Sequence, residues 1–194
     1  MRKGKRVAFF VTGNVHKFHE ARDVLSGYGV ATAMLNIDAV EVQDDDLENI
    51  ASVSVKDAAR RSGLPVFVED AGLFIDALNG FPGPYSSYVY RTIGTKGILK
   101  LMKDVGLRDA HFQSVVAYCN LGKKTKLFCF DGQVSGRISY EERGSQGFGF
   151  DPVFEPAAEL GKTFGEVTRE EKNRYSHRAR ALRKFAEWYA TQVL

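Results

Sequence analysis

Short apolar runs alternate with segments of helical periodicity through the first half of the chain. Residues 6–11 and 30–37 are apolar and of strand length, and apolar residues recur at helical spacing after residue 14 and over residues 47–59. Gly27 and Gly29 supply a stop after the first helical segment. The pattern predicts a strand, a tight turn and a helix, followed by a second strand and a second helix.

A third apolar run, residues 66–68, leads directly into two adjacent carboxylates, Glu69 and Asp70. In α/β proteins, ligands gather at the carboxyl ends of strands, where loops can reach them while the sheet stays packed. We therefore expect both acids to lie at the end of this strand. Carboxylates there can hold a hard divalent cation or take a proton from water. An acidic turn that merely ends the strand is the alternative interpretation.

The second half of the chain predicts consecutive strands and then helices. A rigid turn at residues 81–84 precedes a helix start, and a second helix is predicted over residues 97–105. Three strands follow, at residues 112–119, 125–130 and 133–139, the first two as a β-hairpin. A capping box formed by Thr168 and Glu171 opens a short helix, and Ser176 opens the last one. This order favours an α/β fold with a mixed β-sheet and helices packed on it.

The turn after the first strand is a candidate anion site. Thr12, Gly13 and Asn14 close the strand, and Asn14 is a good helix cap. The N–H groups of a first helical turn attract anions, and Lys17 adds a full positive charge one turn in. A plain helix cap is the alternative. His16 and His19 share a helix face without further ligands, so we expect exposed side chains there and no metal.

A second candidate is the glycine-rich segment at residues 144–152, GSQGFGFDP. Its backbone polar groups need partners that irregular structure rarely finds inside a protein, so a surface loop is predicted. The rings of Phe148 and Phe150 can stack on a flat ligand, and packing into the core beneath the loop is the alternative for either ring. Asp151 is held extended by the following proline.

Two basic residues, His177 and Arg178, fall in the first turn of the last predicted helix. Cations at this end of a helix oppose its dipole, so another interaction should favour them. A ligand acceptor and a plain salt bridge are the two interpretations.

Composition restricts the class of protein. The chain has 194 residues, of which 44% are hydrophobic and 26% charged, with a net charge of +3. These values suit a single domain over residues 1–194 with room for two lobes, and the small charge excess argues against nucleic-acid binding. No apolar stretch approaches the ~20 residues of a membrane span, and no signal-peptide core is present, which predicts a cytoplasmic protein without a membrane partner. Cys119 and Cys129 lack metal-site spacing and predict buried reduced thiols.

Five motifs occur in order along nearly the whole chain: Thr12-Gly13-Asn14-x-x-Lys17, Glu69-Asp70-Ala71-Gly72-Leu73, Phe81-Pro82-Gly83-x-Tyr85-Ser86, Gly147-Phe148-Gly149-Phe150-Asp151-Pro152, and Glu171-Lys172-Asn173 with Ser176-His177-Arg178. In this order they resemble the inosine and xanthosine triphosphate pyrophosphatases, which hydrolyse deaminated purine nucleotides. Two positions depart from the family pattern: Ala71 stands where serine is common, and Phe150 where tyrosine or tryptophan is frequent.

The resemblance implies an elongated mixed β-sheet flanked by helices, with two lobes and a central nucleotide-binding cleft, assembled as a homodimer. It implies Mg²⁺-dependent hydrolysis of ITP, dITP and XTP at the bond between the α- and β-phosphates. The products would be the nucleoside monophosphate and pyrophosphate, and the role would be removal of deaminated purines from the nucleotide pool.

The resemblance also implies residue roles. Glu41 and Asp70 would hold Mg²⁺, Asp70 would also activate the attacking water, and Glu69 would lie beside them as a further acid. Phe148 would stack on the base. The implied substrate-binding residues are Thr12, Gly13, Asn14, Val15, His16 and Lys17 around the phosphates, Phe148, Gly149, Phe150, Asp151, Lys172, His177 and Arg178 around the base and sugar, and Ala71.

Overall fold

The computed structural model describes residues 6–40, 42–122, 125–159 and 161–192. Its α-helices are α1 (Val15–Ser26), α2 (Leu47–Ser62), α3 (Ser86–Thr92), α4 (Gly94–Leu101), α5 (Arg169–Tyr175) and α6 (His177–Thr191). Its strands are β1 (Arg6–Val11), β2 (Val30–Leu35), β3 (Val66–Ile75), β4 (Pro82–Gly83), β5 (Asp109–Asn120), β6 (Lys126–Ile138) and β7 (Phe154–Pro156).

The strands form one seven-stranded sheet in the order β2-β1-β3-β5-β6-β7, with β4 paired to β3. β1 runs parallel to both β2 and β3, whereas β4 is antiparallel to β3 and β7 is antiparallel to β6. The sheet is therefore mixed, as predicted from the succession of elements. No helix in the described ranges is long and apolar enough to cross a membrane.

The first strand, turn and helix follow the sequence prediction closely. β1 spans the predicted residues, and α1 begins directly after Asn14. The Asn14 side-chain oxygen accepts the backbone N–H groups of His16 and Lys17 at 2.9 and 3.1 Å. The predicted cap is confirmed, because this carboxamide satisfies two donors that have no partner within the helix.

The acids of the central segment do not end their strand, and that prediction is wrong. β3 continues through Glu69 and Asp70 to Ile75, because the apolar residues that follow pair with β4 at Leu73 and Phe74. The parallel ladder between β1 and β3, however, stops at the pair Phe10↔Phe67. The two acids thus lie beyond the residues of β3 that pair with β1.

Two other boundaries differ from the sequence pattern. β6 is one strand of 13 residues, where an interruption at Asp131 and Gly132 predicts two. Strand pairing outweighs the low β-propensity of those two residues. The helix predicted over residues 97–105 begins earlier, at Gly94, and ends at Leu101.

The described residues divide into two compact units, each with its own hydrophobic core. Unit 1 comprises residues within 1–70, 114–132 and 178–194, and unit 2 comprises residues within 71–113 and 133–177. The core of unit 1 contains Phe10 and Phe67, whose rings stack with centroids 4.5 Å apart. The core of unit 2 contains Phe112 and Phe154, which meet edge to face at 4.7 Å. The predicted thiols are free: Cys119 is buried and Cys129 is half-buried.

Gly72 on β3 lies close to the backbone of β4. A Cβ atom on this glycine would lie 2.4 Å from the carbonyl oxygen of Gly83. We therefore expect Gly72→Ala to reduce the free energy of unfolding by about 1–3 kcal/mol, the usual cost of overpacking. A loss of that size lowers the melting temperature by about 2–4 °C per kcal/mol in a chain of this length.

Thermal unfolding followed by circular dichroism measures this effect. Gly106→Ala is the matched control, since a Cβ there meets nothing within 4 Å. Equal melting temperatures for the two variants would contradict the close approach of β3 and β4.

Candidate active site

The turn between β1 and α1 is built as a cap. The backbone N–H of Asn14 donates to the Thr12 hydroxyl at 3.1 Å. The side-chain oxygen of Asn14 accepts the backbone N–H groups of His16 and Lys17, the second and third residues of α1. Because these two N–H groups are already bonded to Asn14, they form a helix cap, which is the alternative to an anion site. Val15 and His16 are exposed, and His19 is half-buried. The cationic side chain of this turn is Lys17.

Lys17 is bound twice to Glu69. Its ammonium nitrogen lies 2.9 Å from Glu69 Oε2 and donates a hydrogen bond of 3.2 Å to the main-chain oxygen of the same residue. The Lys17 side chain remains 19% exposed, whereas the Glu69 side chain is 0% exposed. Lys17 therefore connects a buried carboxylate to the surface of unit 1, where an anionic ligand can reach it.

Glu69 also holds Arg178. The guanidinium Nε of Arg178 lies 3.0 Å from Glu69 Oε1, and its Nη1 donates to Glu20 Oε2 at 2.5 Å. Ser114 donates a third interaction to Glu69, a hydrogen bond of 2.5 Å to Oε1. We call these five residues, Lys17, Glu20, Glu69, Ser114 and Arg178, the unit 1 charge cluster. The salt-bridge interpretation of Arg178 is thereby confirmed, and the cluster explains why a cation is stable in the first turn of α6.

The charge cluster fixes the ionisation of Glu69 and Arg178. Burial alone would raise the pKa of Glu69, but the positive charges of Arg178 and Lys17, with the Ser114 hydrogen bond, hold that pKa well below its ordinary value. Burial alone would lower the pKa of Arg178, and the charges of Glu69 and Glu20 instead raise it. Both groups are therefore charged at neutral pH, and Glu69 is too strongly engaged to act as a base.

Asp70 lies next to Glu69 on β3 but differs from it in surroundings. Successive side chains of a strand point to opposite faces, so Asp70 lies on the face of β3 opposite to Glu69. Asp70 is half-buried, as is Ala71, while Glu69 is buried. Of the two adjacent acids, Asp70 is thus the one whose carboxylate a ligand can approach.

The metal prediction rests on Asp70 and Glu41, and Glu41 lies outside the described residues. Within the described ranges, no group of three His, Cys, Asp or Glu side chains is arranged to hold a metal ion. Mg²⁺ is commonly held by only one or two carboxylates together with water and substrate phosphates. The accessible carboxylate of Asp70 fits that mode of binding, whereas the doubly paired carboxylate of Glu69 does not.

Unit 2 contains a second buried ion pair, made by residues of the glycine-rich loop and α5. Lys172 Nζ donates to Asp151 Oδ2 at 2.6 Å, and the backbone N–H of Phe148 donates to the same oxygen at 2.9 Å. The Lys172 ammonium lies 4.9 Å from the centre of the Phe148 ring and 5.2 Å from that of Phe164, which is within cation–π range. Three predicted base-site residues, Phe148, Asp151 and Lys172, are therefore brought together.

Gly147 makes this arrangement possible. Its φ is +73°, and a Cβ atom would lie 2.1 Å from Asp151 Oδ2. Only glycine allows the carboxylate to approach the loop backbone so closely. The glycines of this motif therefore shape the loop around Asp151.

Two other predicted base-site residues have buried rings. Phe150 is 3% exposed and meets Tyr90 edge to face at 5.5 Å, so for this ring the core interpretation holds. His177 is 2% exposed and stacks on Phe112 with centroids 4.6 Å apart. Of the two loop aromatics, Phe148 is the partly exposed one.

Glu20 and Ser114 belong to the site region, although neither is part of a motif in the sequence. Glu20 is adjacent to Ala21, on the helix face that carries the apolar stripe, and an acid there needs a buried partner. Ser114 shares one face of β5 with Phe112 and Val116, as strand alternation predicts. Their positions on buried faces could have indicated that both side chains need a polar partner, but the sequence does not show which residue that partner is.

Comparison with known proteins relates this arrangement to a family. The family model described as the Ham1 family matches residues 8–188. A dITP/XTP pyrophosphatase of Methanopyrus kandleri is 50% identical over 184 residues, covering 95% of this chain and 96% of its own. One from Thermococcus kodakarensis is 50% identical over 179 residues, covering 92% and 95%.

A solved structure supports the same assignment. A HAM1 protein from Coxiella burnetii has a TM-score of 0.82 and 27% identity, with 96% of this chain and 100% of that chain covered. The resemblance inferred from the ordered motifs and the predicted α/β fold class are both confirmed. The chain belongs to the Ham1 family.

Proposed function

We propose that this protein hydrolyses the deaminated purine nucleoside triphosphates dITP, XTP and ITP to the nucleoside monophosphate and pyrophosphate. The observation that carries the proposal is the 50% identity to relatives named dITP/XTP pyrophosphatase, over nearly the full length of both chains. The biological role is removal of damaged purines from the nucleotide pool, by a homodimer in the cytoplasm.

In this proposal, unit 1 supplies the groups for the phosphates. Lys17 offers a partly exposed ammonium group to the phosphate oxygens, with its position set by Glu69. Asp70 takes a proton from the attacking water, a role that its accessible carboxylate supports. Mg²⁺, held by Asp70 and Glu41, would neutralise charge on the phosphate oxygens when bound.

The base is selected by hydrogen-bond donors. Hypoxanthine and xanthine carry a 6-oxo acceptor, whereas adenine carries an amino donor at that position. Each of the two predicted base-site cations, Lys172 and Arg178, has only donors, so either one can satisfy the first group and not the second. A site built on such a bond rejects the wrong base by up to ~10⁴, because its polar groups are left unpaired. Guanine shares the 6-oxo group, so its exclusion acts at the 2-position.

Product analysis tests the reaction. The purified protein is incubated with dITP, XTP, ITP, GTP, ATP and CTP, with and without Mg²⁺, and pyrophosphate is assayed separately from orthophosphate. We expect pyrophosphate from dITP, XTP and ITP in Mg²⁺, little from ATP, and none without the metal. Orthophosphate with a diphosphate product would contradict the proposal, since it reports cleavage of the outer bond.

The same reaction run in ¹⁸O-labelled water locates the attack. Label in the monophosphate means that water attacks the α-phosphorus, and label in pyrophosphate means attack at the β-phosphorus. We expect the label in the monophosphate, detected by mass spectrometry.

A further inference from the structure

Ser114 is a buried polar residue to which the mechanism above gives no role. It lies on β5 with 0% of its surface exposed. Its hydroxyl donates a hydrogen bond of 2.5 Å to Glu69 Oε1, the oxygen that also pairs with Arg178. The Ser114 hydroxyl is therefore bonded to a carboxylate that pairs with two cations, Lys17 and Arg178.

The two oxygens of Glu69 have different partners. Oε1 lies 3.0 Å from Arg178 Nε, and Oε2 lies 2.9 Å from Lys17 Nζ. Rotation of the carboxylate about its terminal bond would disturb both pairs at once. A donor fixed on Oε1 opposes that rotation, because the short hydrogen bond to Ser114 is kept only in the present orientation.

The orientation of Arg178 depends on this carboxylate. The planar guanidinium donates a hydrogen bond from Nη1 to Glu20 and forms an ion pair with Glu69 at 3.0 Å from Nε, with the side chains of all three at most 3% exposed. Two anchors define the plane of the group. A movement of one anchor therefore re-aims the donors of Arg178.

Charge balance does not explain why a hydroxyl group is present at position 114. The cluster contains two carboxylates and two cations, so its formal charges cancel without the hydroxyl. The contribution of Ser114 is a directional one: its hydrogen bond adds a fixed direction at Oε1 to the two ion pairs, which depend on direction less strongly than a hydrogen bond does.

We propose that Ser114 is a positioning residue for base selection, which orients Arg178 and Lys17 together through the carboxylate of Glu69. The proposal rests on the function proposed above, in which Lys17 meets the phosphates and Arg178 meets the base. Lys17 is also held by the main-chain oxygen of Glu69, which does not move with the carboxylate, so the loss of Ser114 affects selectivity more than turnover.

Ser114→Ala tests the proposal. The ratio of kcat/KM for dITP to kcat/KM for dATP is expected to fall about tenfold, a modest effect for the loss of a hydrogen bond to a charged group. The kcat for dITP should fall by a smaller factor than this ratio. Ser114→Thr keeps a hydroxyl on a strand position that suits β-branched residues, and it should restore most of the ratio.

Ser139→Ala is the matched control. The Ser139 side chain is likewise buried, and its hydroxyl donates at 2.6 Å to the main-chain oxygen of Glu141 in unit 2. Both alanine variants lose one buried hydrogen bond, so both melt at a somewhat lower temperature. Only Ser114→Ala is expected to lose selectivity; an equal loss in the control, or an unchanged ratio in Ser114→Ala, overturns the proposal.

Equilibrium affinities for dITP and dATP, measured by calorimetry in excess EDTA, separate this inference from the proposed function. If the wild type prefers dITP in binding but does not hydrolyse it, the enzymatic proposal fails, and the affinity ratio of Ser114→Ala still decides the role of Ser114. If the wild type shows no preference in either measurement, both proposals are wrong.

Discussion

Asp70→Asn is expected to lower kcat for dITP by about 10²–10⁴-fold, the range typical of removing a general base. Asparagine matches aspartate in size but cannot take a proton from water or offer a charged ligand to Mg²⁺. Because asparagine keeps the size of this half-buried side chain and can still hydrogen-bond, the melting temperature should stay close to that of the wild type. Steady-state kinetics and thermal unfolding measure the two quantities.

Asp76→Asn is the control for this substitution, since Asp76 is an exposed acid six positions further along the chain. Its kcat should equal that of the wild type. A Mg²⁺ titration separates the two roles of Asp70: a weakened metal site is rescued by more Mg²⁺, whereas a missing base is not. An Asp70→Asn variant with wild-type turnover would remove Asp70 from the mechanism.

Glu69→Gln is expected to cause the largest loss of stability of the substitutions considered. Removing one member of a buried charge cluster leaves uncompensated charge inside the protein, which costs about 3–5 kcal/mol. Here Arg178 and Lys17 both lose their shared carboxylate. The melting temperature should fall by about 2–4 °C for each kcal/mol lost. Glu170→Gln is the control, because Glu170 and Arg174 form an exposed pair 3.6 Å apart, a type of pair that contributes little.

The stability difference between the wild type and Glu69→Gln should depend on pH. The pKa of Glu69 is lowered in the folded protein, so its contribution is fully present above the unfolded pKa of about 4.3 and is lost as pH falls through the folded pKa. The difference in melting temperature is therefore constant from neutral pH down to about pH 5 and shrinks in more acidic solution. A difference that stayed constant into strong acid would contradict the charged state of Glu69.

Substitutions of Asp70 and of Glu69 are expected to affect the selectivity for the base differently. Asp70→Asn should reduce turnover of every substrate by a similar factor, since proton transfer does not depend on the base. Loss of the Glu69 carboxylate should instead lower discrimination between dITP and dATP, because Arg178 loses one of its anchors. The adjacent acids of one strand are thus expected to separate into a chemical role and an orienting role.

The amino-acid sequence determined the local elements and the family of this protein. The cap at Asn14, the helix start after Tyr85 and the capping box at Thr168 were predictable, because each depends on hydrogen bonds between residues a few positions apart. Membership in the Ham1 family followed from the order of the motifs, since order along the chain needs no coordinates.

Tertiary structure decided the chemistry of Glu69 and Asp70. As neighbours with similar side chains they look alike in sequence, and only strand alternation together with the packing of α1, β5 and α6 assigns one to a buried charge cluster and leaves the other accessible. Tertiary structure also decided that Phe150 is buried in the core and that Phe148 is partly exposed in the loop. Such partners are brought together from distant positions of the chain, and the free energy of burying a charge depends on which partner it meets.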